Sequence, residues 1–194
     1  MVLRIPKVTS KVVLSAFAFT AFWAALVITA PLMVPSGTLT DLTGVVGSHD
    51  NDDQFDSLSP LPHAVYWLGD GECHQISNRS YFLNGNQMPF CARDLGLFLG
   101  LAAGFGVATF IAIRIHPLLV LVGLVPMAID GGIQLVTDYE SNNPLRLLTG
   151  LIAGLALSLM FAHMIFAIGD EPVKKKPTPA APGENLSKPD ISTR

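Results

Sequence analysis

The side chains able to do chemistry gather in three short runs, Cys73-His74-Gln75, Asn78-Arg79-Ser80 and Cys91-Ala92-Arg93-Asp94. Both cysteines of the chain are among them. The pair admits three chemistries. Two cysteines facing an oxidising compartment with no competitor can form a disulfide, and closing a loop of this length is worth roughly 3 kcal/mol in the chain-entropy account. Alternatively Cys73, His74 and Cys91, completed by Asp94 or Asp130, form a ligand set for zinc or another transition metal. Against that, adjacent Cys and His do not easily turn toward one ion, and no two ligands have zinc-ribbon spacing. The third chemistry is a redox-active dithiol. The sequence itself requires no cofactor.

A second polar group comes from farther along the chain. Asp130, Gln134 and Asp138 are spaced to share one helical face, and Arg146 follows Asn142-Asn143-Pro144. Asp130 interrupts an apolar run, and an ionisable residue there is costly unless paired, which makes Arg93 or Arg146 its natural counter-charge. Such a pair serves either as part of a site or as a clamp between helices. Gln75, Arg79, Arg93, Asp130, Gln134 and Arg146 would form a polar pocket; in an enzyme, Asp130 or His74 would be the general base and Arg93 or Arg146 would hold an anionic substrate such as a lipid phosphate. No nucleophile stands beside a base, so catalysis has weaker support than binding.

These residues must be positioned by helices in a bilayer. Half of the 194 residues are hydrophobic and only 14% are charged, with a mean hydropathy of +0.47, too apolar for a soluble domain of this size. The absence of a basic stripe with interleaved aromatics argues against nucleic acid as a partner. Spanning the hydrocarbon core takes about 20 apolar residues per helix. Residues 12–34, 95–113, 117–136 and 147–169 meet that need, the third interrupted by Asp130 and the fourth by His163. The fold expected is an all-α membrane protein of four transmembrane helices, with an extracytoplasmic loop segment, residues 35–94, between the first two.

The first run could be a signal peptide, but Pro31 would follow a cut after Ala30 and the apolar run is long for a signal, so an uncleaved anchor is expected. With residues 1–11 cytoplasmic, nine of the lysines and arginines (Arg4, Lys7, Lys11, Arg114, Lys174, Lys175, Lys176, Lys188 and Arg194) lie inside, and Arg79, Arg93 and Arg146 lie outside. Both termini are then cytoplasmic in a multi-pass cell-membrane protein, and the Pro/Ala/Lys-rich residues 170–194 form a disordered tail. Within the external segment, the Ser, Thr, Gly, Asp and Asn of residues 36–60 predict a flexible loop. Residues 61–69 predict a short interfacial helix that turns Tyr66 and Trp67 to the headgroups.

Small residues recur every fourth position at Gly96, Gly100 and Gly104, and again at Gly150 and Gly154. In lipid such stripes let helix backbones approach closely, and within a span they are packing faces rather than phosphate loops. His163 lies far in depth from the outer group, where core packing or an interhelical hydrogen bond is its expected role.

Cys73-His-Gln75 with Arg79-Ser80, Pro89 with Cys91-Ala-Arg93, Asp130-Gly131 with Gln134, and Asn143 with Leu145-Arg146 and Thr149-Gly150 together resemble a family of small, uncharacterised bacterial and archaeal membrane proteins. The resemblance covers Cys73 to about Gly154 and carries no activity with it. It implies that many relatives hold a further cysteine at the position of Asp94, in a Cys-x-x-Cys with Cys91. That change weakens a thiol-rich site here, although Asp94 can supply an oxygen ligand. The function expected is that of a membrane-embedded binding or accessory/assembly protein, with the lipid bilayer and membrane protein complexes as partners and no nucleic acid. The alternatives are an intramembrane enzyme acting on a lipid or other anionic substrate, and a metal-binding membrane protein. A channel or transporter is disfavoured by four short spans without an internal repeat.

Overall fold

The computed structural model describes residues 10–169. Arg4, Lys7 and the tail from Asp170 to Arg194, which entered the orientation and disorder readings, lie outside the described residues. Six α-helices and one small hairpin follow in order: α1 Lys11–Thr29, α2 Asp52–Phe55, α3 Pro60–Glu72, β1 Phe82–Leu83, β2 Asn86–Gln87, α4 Ala92–Phe110, α5 Pro117–Val136 and α6 Asn143–Gly169. Short 3-10 turns at Ala30–Met33 and Ser77–Arg79 complete the elements. Four helical stretches are long and apolar enough to cross a membrane: Lys11–Met33, Ala92–Phe110, Pro117–Val136 and Asn143–Ile168.

A helix in hydrocarbon must satisfy its own backbone polar groups. In α1 the hydroxyls of Thr20 and Thr29 donate to the carbonyls of Ala16 and Ala25, one turn back. Pro117 opens α5, where it forfeits no hydrogen bond, and His116 Nδ1 accepts from the Leu118 amide. Asn142 Oδ1 accepts from the Leu145 amide at the start of α6. Pro126 stands inside α5, so the carbonyl of Val122 has no amide to receive there.

Glycines set the core of the bundle. A Cβ added to Gly96 or Gly100 would collide with the carbonyl oxygens of Leu147 and Leu151, and one on Gly104 with the Ser158 hydroxyl. Reciprocally, a Cβ on Gly150 or Gly154 would collide with the carbonyls of Arg93 and Leu97. Residue numbers rise together on both helices, so α4 and α6 run parallel with their backbones in contact. Trp23 meets Phe90 and Phe98 edge-on, while Phe17 lies against Gly106, which makes α1 antiparallel to α4. Gly123 abuts Ala156, and α5 packs chiefly on α6.

Within the segment between α1 and α4, residues 36–60, expected from composition to be a flexible loop, contribute to a packed core. Leu39, Leu42 and Phe55 are fully buried, in one core with Val27, Val65, Met88, Phe90 and Leu95. What composition concealed is a set of buried side-chain amides that replace secondary structure in satisfying the backbone. Asn86 accepts from the Thr38 and Leu39 amides and donates to the carbonyls of Pro31, Val34 and Pro35. Its neighbour Gln87 accepts from the Leu42 amide and donates to the Gln75 carbonyl. Both project from the hairpin, whose Asn84-Gly85 turn has φ of 54° and 72°, the left-handed pair a two-residue hairpin loop demands. Helix α3 forms where it was expected, but Tyr66 is buried, its hydroxyl donating to the Gln87 carbonyl at 2.6 Å, and the half-exposed Trp67 stacks on His49.

Candidate functional site

The first turns of α4 and α6 lie side by side at one end of the bundle, joined there by the last turns of α5 and by the stretch from Cys73 to Ser80. Between them is a cavity of about 90 Å³, lined by Cys73, His74, Gln75, Ile76, Arg79, Cys91, Arg93, Gln134 and Arg146. That is several water volumes at roughly 30 Å³ each. Asp94 and Asp130 stand just behind its wall: Asp94 beyond the thiols, and Asp130 on the side facing α5 and α6.

Arg146 is the most deeply buried of the charged lining residues, 2% exposed, and fixed by its place in the first turn of α6. Neither of its terminal nitrogens has a hydrogen-bond partner. One lies 3.8 Å from Glu140, whose carboxylate is already held at 3.2 Å by Arg79 and also accepts from Asn78. Arg93 donates to Asp130 at 2.5 Å through one terminal nitrogen, leaving its Nε unpartnered and buried. Gln134 Nε2 is unpartnered as well. Among the lining residues the buried groups without a partner are all N–H donors, whereas Asp130 Oδ1, behind the wall, is an unpartnered acceptor; the charged side chains lining the cavity are all arginines. Two helix N-termini, of α4 and α6, add partial positive charge to the same place.

The cavity's other wall carries the thiols. Cys73 is buried and Cys91 half-buried; both are free, and their sulfurs and an Asp94 oxygen all lie within 4.8 Å of one another. Cys91, the residue capping α4, donates its S–H to Asp94 at 3.1 Å. Hydrogen bonding from Cys91 holds the Cys73 thiol below its ordinary value. The same bond, burial and the Asp94 carboxylate all push Cys91 well up, so it keeps its proton. Among the described residues these three side chains form one of two clusters with metal-ligand geometry; the other is His49, Asp52 and Asp70. His74 lines the cavity but is exposed and belongs to neither cluster.

Gln75 lines the cavity, but its side chain faces the protein core, donating to the Pro89 carbonyl at 2.8 Å. A φ of 46° at this residue reverses the chain so that Cys73 and Ile76 both face the cavity. His163 is half-buried and its Nδ1 makes no hydrogen bond. Glu140, which shares two arginines, escaped the sequence reading. Its signal was an acid only six residues before Arg146 in the same interhelical turn.

The family described as "Predicted membrane protein (DUF2085)" matches residues 73–160, a range that begins at Cys73 and contains every residue lining the cavity. The uncharacterized protein MJ1492 of Methanocaldococcus jannaschii is 37% identical over 114 residues, covering 56% of this chain and 71% of that protein. An uncharacterized protein of Methanothermobacter thermautotrophicus is 36% identical over 102 residues, covering 50% of this chain and 92% of that one. No solved structure matches. With four helices fit to span a bilayer and relatives aligned over most of their own length, the chain belongs to this family of predicted membrane proteins.

Proposed function

We propose that this membrane protein is a binding protein whose cavity, at the extracytoplasmic end of the bundle, takes a small anionic group. The observation that carries the reading is Arg146, a guanidinium almost wholly removed from water with both terminal nitrogens unpartnered. Leaving such donors buried and unmet is costly, and a phosphate or carboxylate would meet them with charge-assisted bonds. Arg93 Nε and Gln134 Nε2 would donate to the same ligand, and the more exposed Arg79 would close over it. The side assignment follows from the bias of lysines and arginines along the sequence. Isothermal titration of the detergent-solubilised protein with inorganic phosphate tests the reading. Binding should weaken about tenfold or more in Arg146→Gln and also in Arg79→Gln, a surface change that leaves folding intact. Absence of phosphate and carboxylate binding to the folded wild type would overturn it.

A second reading rests on the convergence of Cys73, Cys91 and Asp94. Two thiolates and a carboxylate suit zinc, with a fourth position left to solvent or ligand. Elemental analysis of the purified chain, with Cys73→Ser as control, decides it; stoichiometric metal lost in the variant supports this reading.

A further inference from the structure

A second, apolar cavity adjoins the first. It is a groove of about 440 Å³ between α5 and α6, open on the lipid-facing side and lined by Val125, Ile129, Ile133, Leu145 and Thr149, with Asp130 at its edge. The volume falls in the range of ligand clefts, roughly 300–1,000 Å³.

The groove and the arginine cavity share a wall. On α5, Ile133 faces the groove while the next residue, Gln134, faces the cavity; on α6, Leu145 faces the groove and Arg146 the cavity. The Arg93–Asp130 pair bridges them, Arg93 lining one and Asp130 the other. Asp130 lies six residues from the end of α5, about 9 Å of rise, so the junction lies in the outer third of the span, and the groove runs from there toward Val125, nearer the bilayer centre.

We infer that the anion is the headgroup of a membrane lipid: a phosphate-bearing head in the arginine cavity, and one hydrocarbon chain of the same molecule along the α5–α6 groove. The inference rests on the anion-binding reading above and names its ligand class. A free oxyanion would account for the unpartnered donors but would make no use of an apolar channel ending beside them. A lipid satisfies both, and it can enter sideways from the bilayer without crossing water. Charge selects the head: Arg79, Arg93 and Arg146 line the cavity, while the carboxylates of Glu140, Asp130 and Asp94 lie at its rim or behind its wall, so an anionic head without its own cation is the better match to the lining.

The test is native mass spectrometry of the full chain in neutral detergent, offered equimolar phosphatidic acid and phosphatidylcholine with identical chains, with a parallel arm titrating inorganic phosphate. One phosphatidic acid should be retained in about tenfold preference or more. The preference should fall in Arg146→Gln, and it should fall again in Ile129→Trp, which fills the groove from the lipid side. Phosphate binding without any preference for phosphatidic acid would overturn the lipid and leave the anion cavity standing. Neither binding would overturn both. A preference unchanged by Arg146→Gln would mean lipid held elsewhere on the surface, and would also overturn the inference.

Discussion

Arg93 of α4 reaches Asp130 of α5 at 2.5 Å, although each helix packs mainly on α6 rather than on the other. A Cβ at Gly131, the next residue of α5, would meet the guanidinium at 3.5 Å, an ordinary van der Waals contact. The pair thus ties the last turns of α5 to the rest of the bundle.

Breaking one half of this pair is expected to cost more than removing both. Asp130→Asn should destabilise by about 3 kcal/mol, at the lower end for buried pairs because Arg93 keeps a quarter of its surface exposed. The double variant Arg93→Met with Asp130→Leu should recover most of that loss. Thermal denaturation in detergent checks the order; a double variant worse than both singles would contradict it.

The glycine contacts predict a steep dependence on position. Gly100→Ala or Gly150→Ala forces a methyl into facing backbone, which should cost about 1–3 kcal/mol by overpacking. Gly132→Ala, with nothing within 4 Å of its would-be Cβ, should be neutral or slightly stabilising. The same denaturation assay compares all three.

Tyr66 gives a pH signature. Burial raises its phenol above the ordinary 10.0, so the folded form holds its proton where the unfolded form has lost it. Stability from this group is therefore full below pH 10 and declines as pH rises beyond it toward the raised value. Tyr66→Phe should flatten that alkaline decline, while lowering stability at pH 7 by about 1–3 kcal/mol because the Gln87 carbonyl loses its donor.

The thiols should differ in reactivity. In non-reducing conditions with a small alkylating agent, Cys73 should react and Cys91 should not, because the shared hydrogen bond lowers one thiol and raises the other. Cys91→Ala should slow modification of Cys73 at neutral pH. Peptide mapping of the label reads the outcome, and equal labelling of both would refute it.

Orientation is open to a direct measurement. Asp53→Cys, on an exposed position of α2, should take a membrane-impermeant maleimide in intact cells; labelling that needs permeabilisation would invert the assigned topology.

The long helices were legible because hydrocarbon imposes one rule on every residue of a span, and an apolar run of sufficient length has few other uses. Cys73, Arg79, Cys91, Arg93, Gln134 and Arg146 were legible as exceptions to that rule or as reactive types beside it. The segment from Ser36 to Pro60 was misread because its order comes from distant side chains. Asn86 and Gln87 hold its backbone from some 45 to 50 residues away, and no local periodicity records such bonds. Tyr66 was misread for a related reason: an aromatic near a membrane surface carries the same local signal whether it faces lipid or a carbonyl inside the protein.

Pro126 leaves α5 one hydrogen bond short midway along its length. The interlocked backbones of α4 and α6 make those two helices a single stiff post, whereas the half of α5 beyond Pro126 carries Asp130 and Gln134 on a jointed arm. On the proposed binding role, release from the arginine cavity would be set by movement of that arm as well as by affinity for the post. Stiffening it with Pro126→Ala should lengthen residence without adding a single contact.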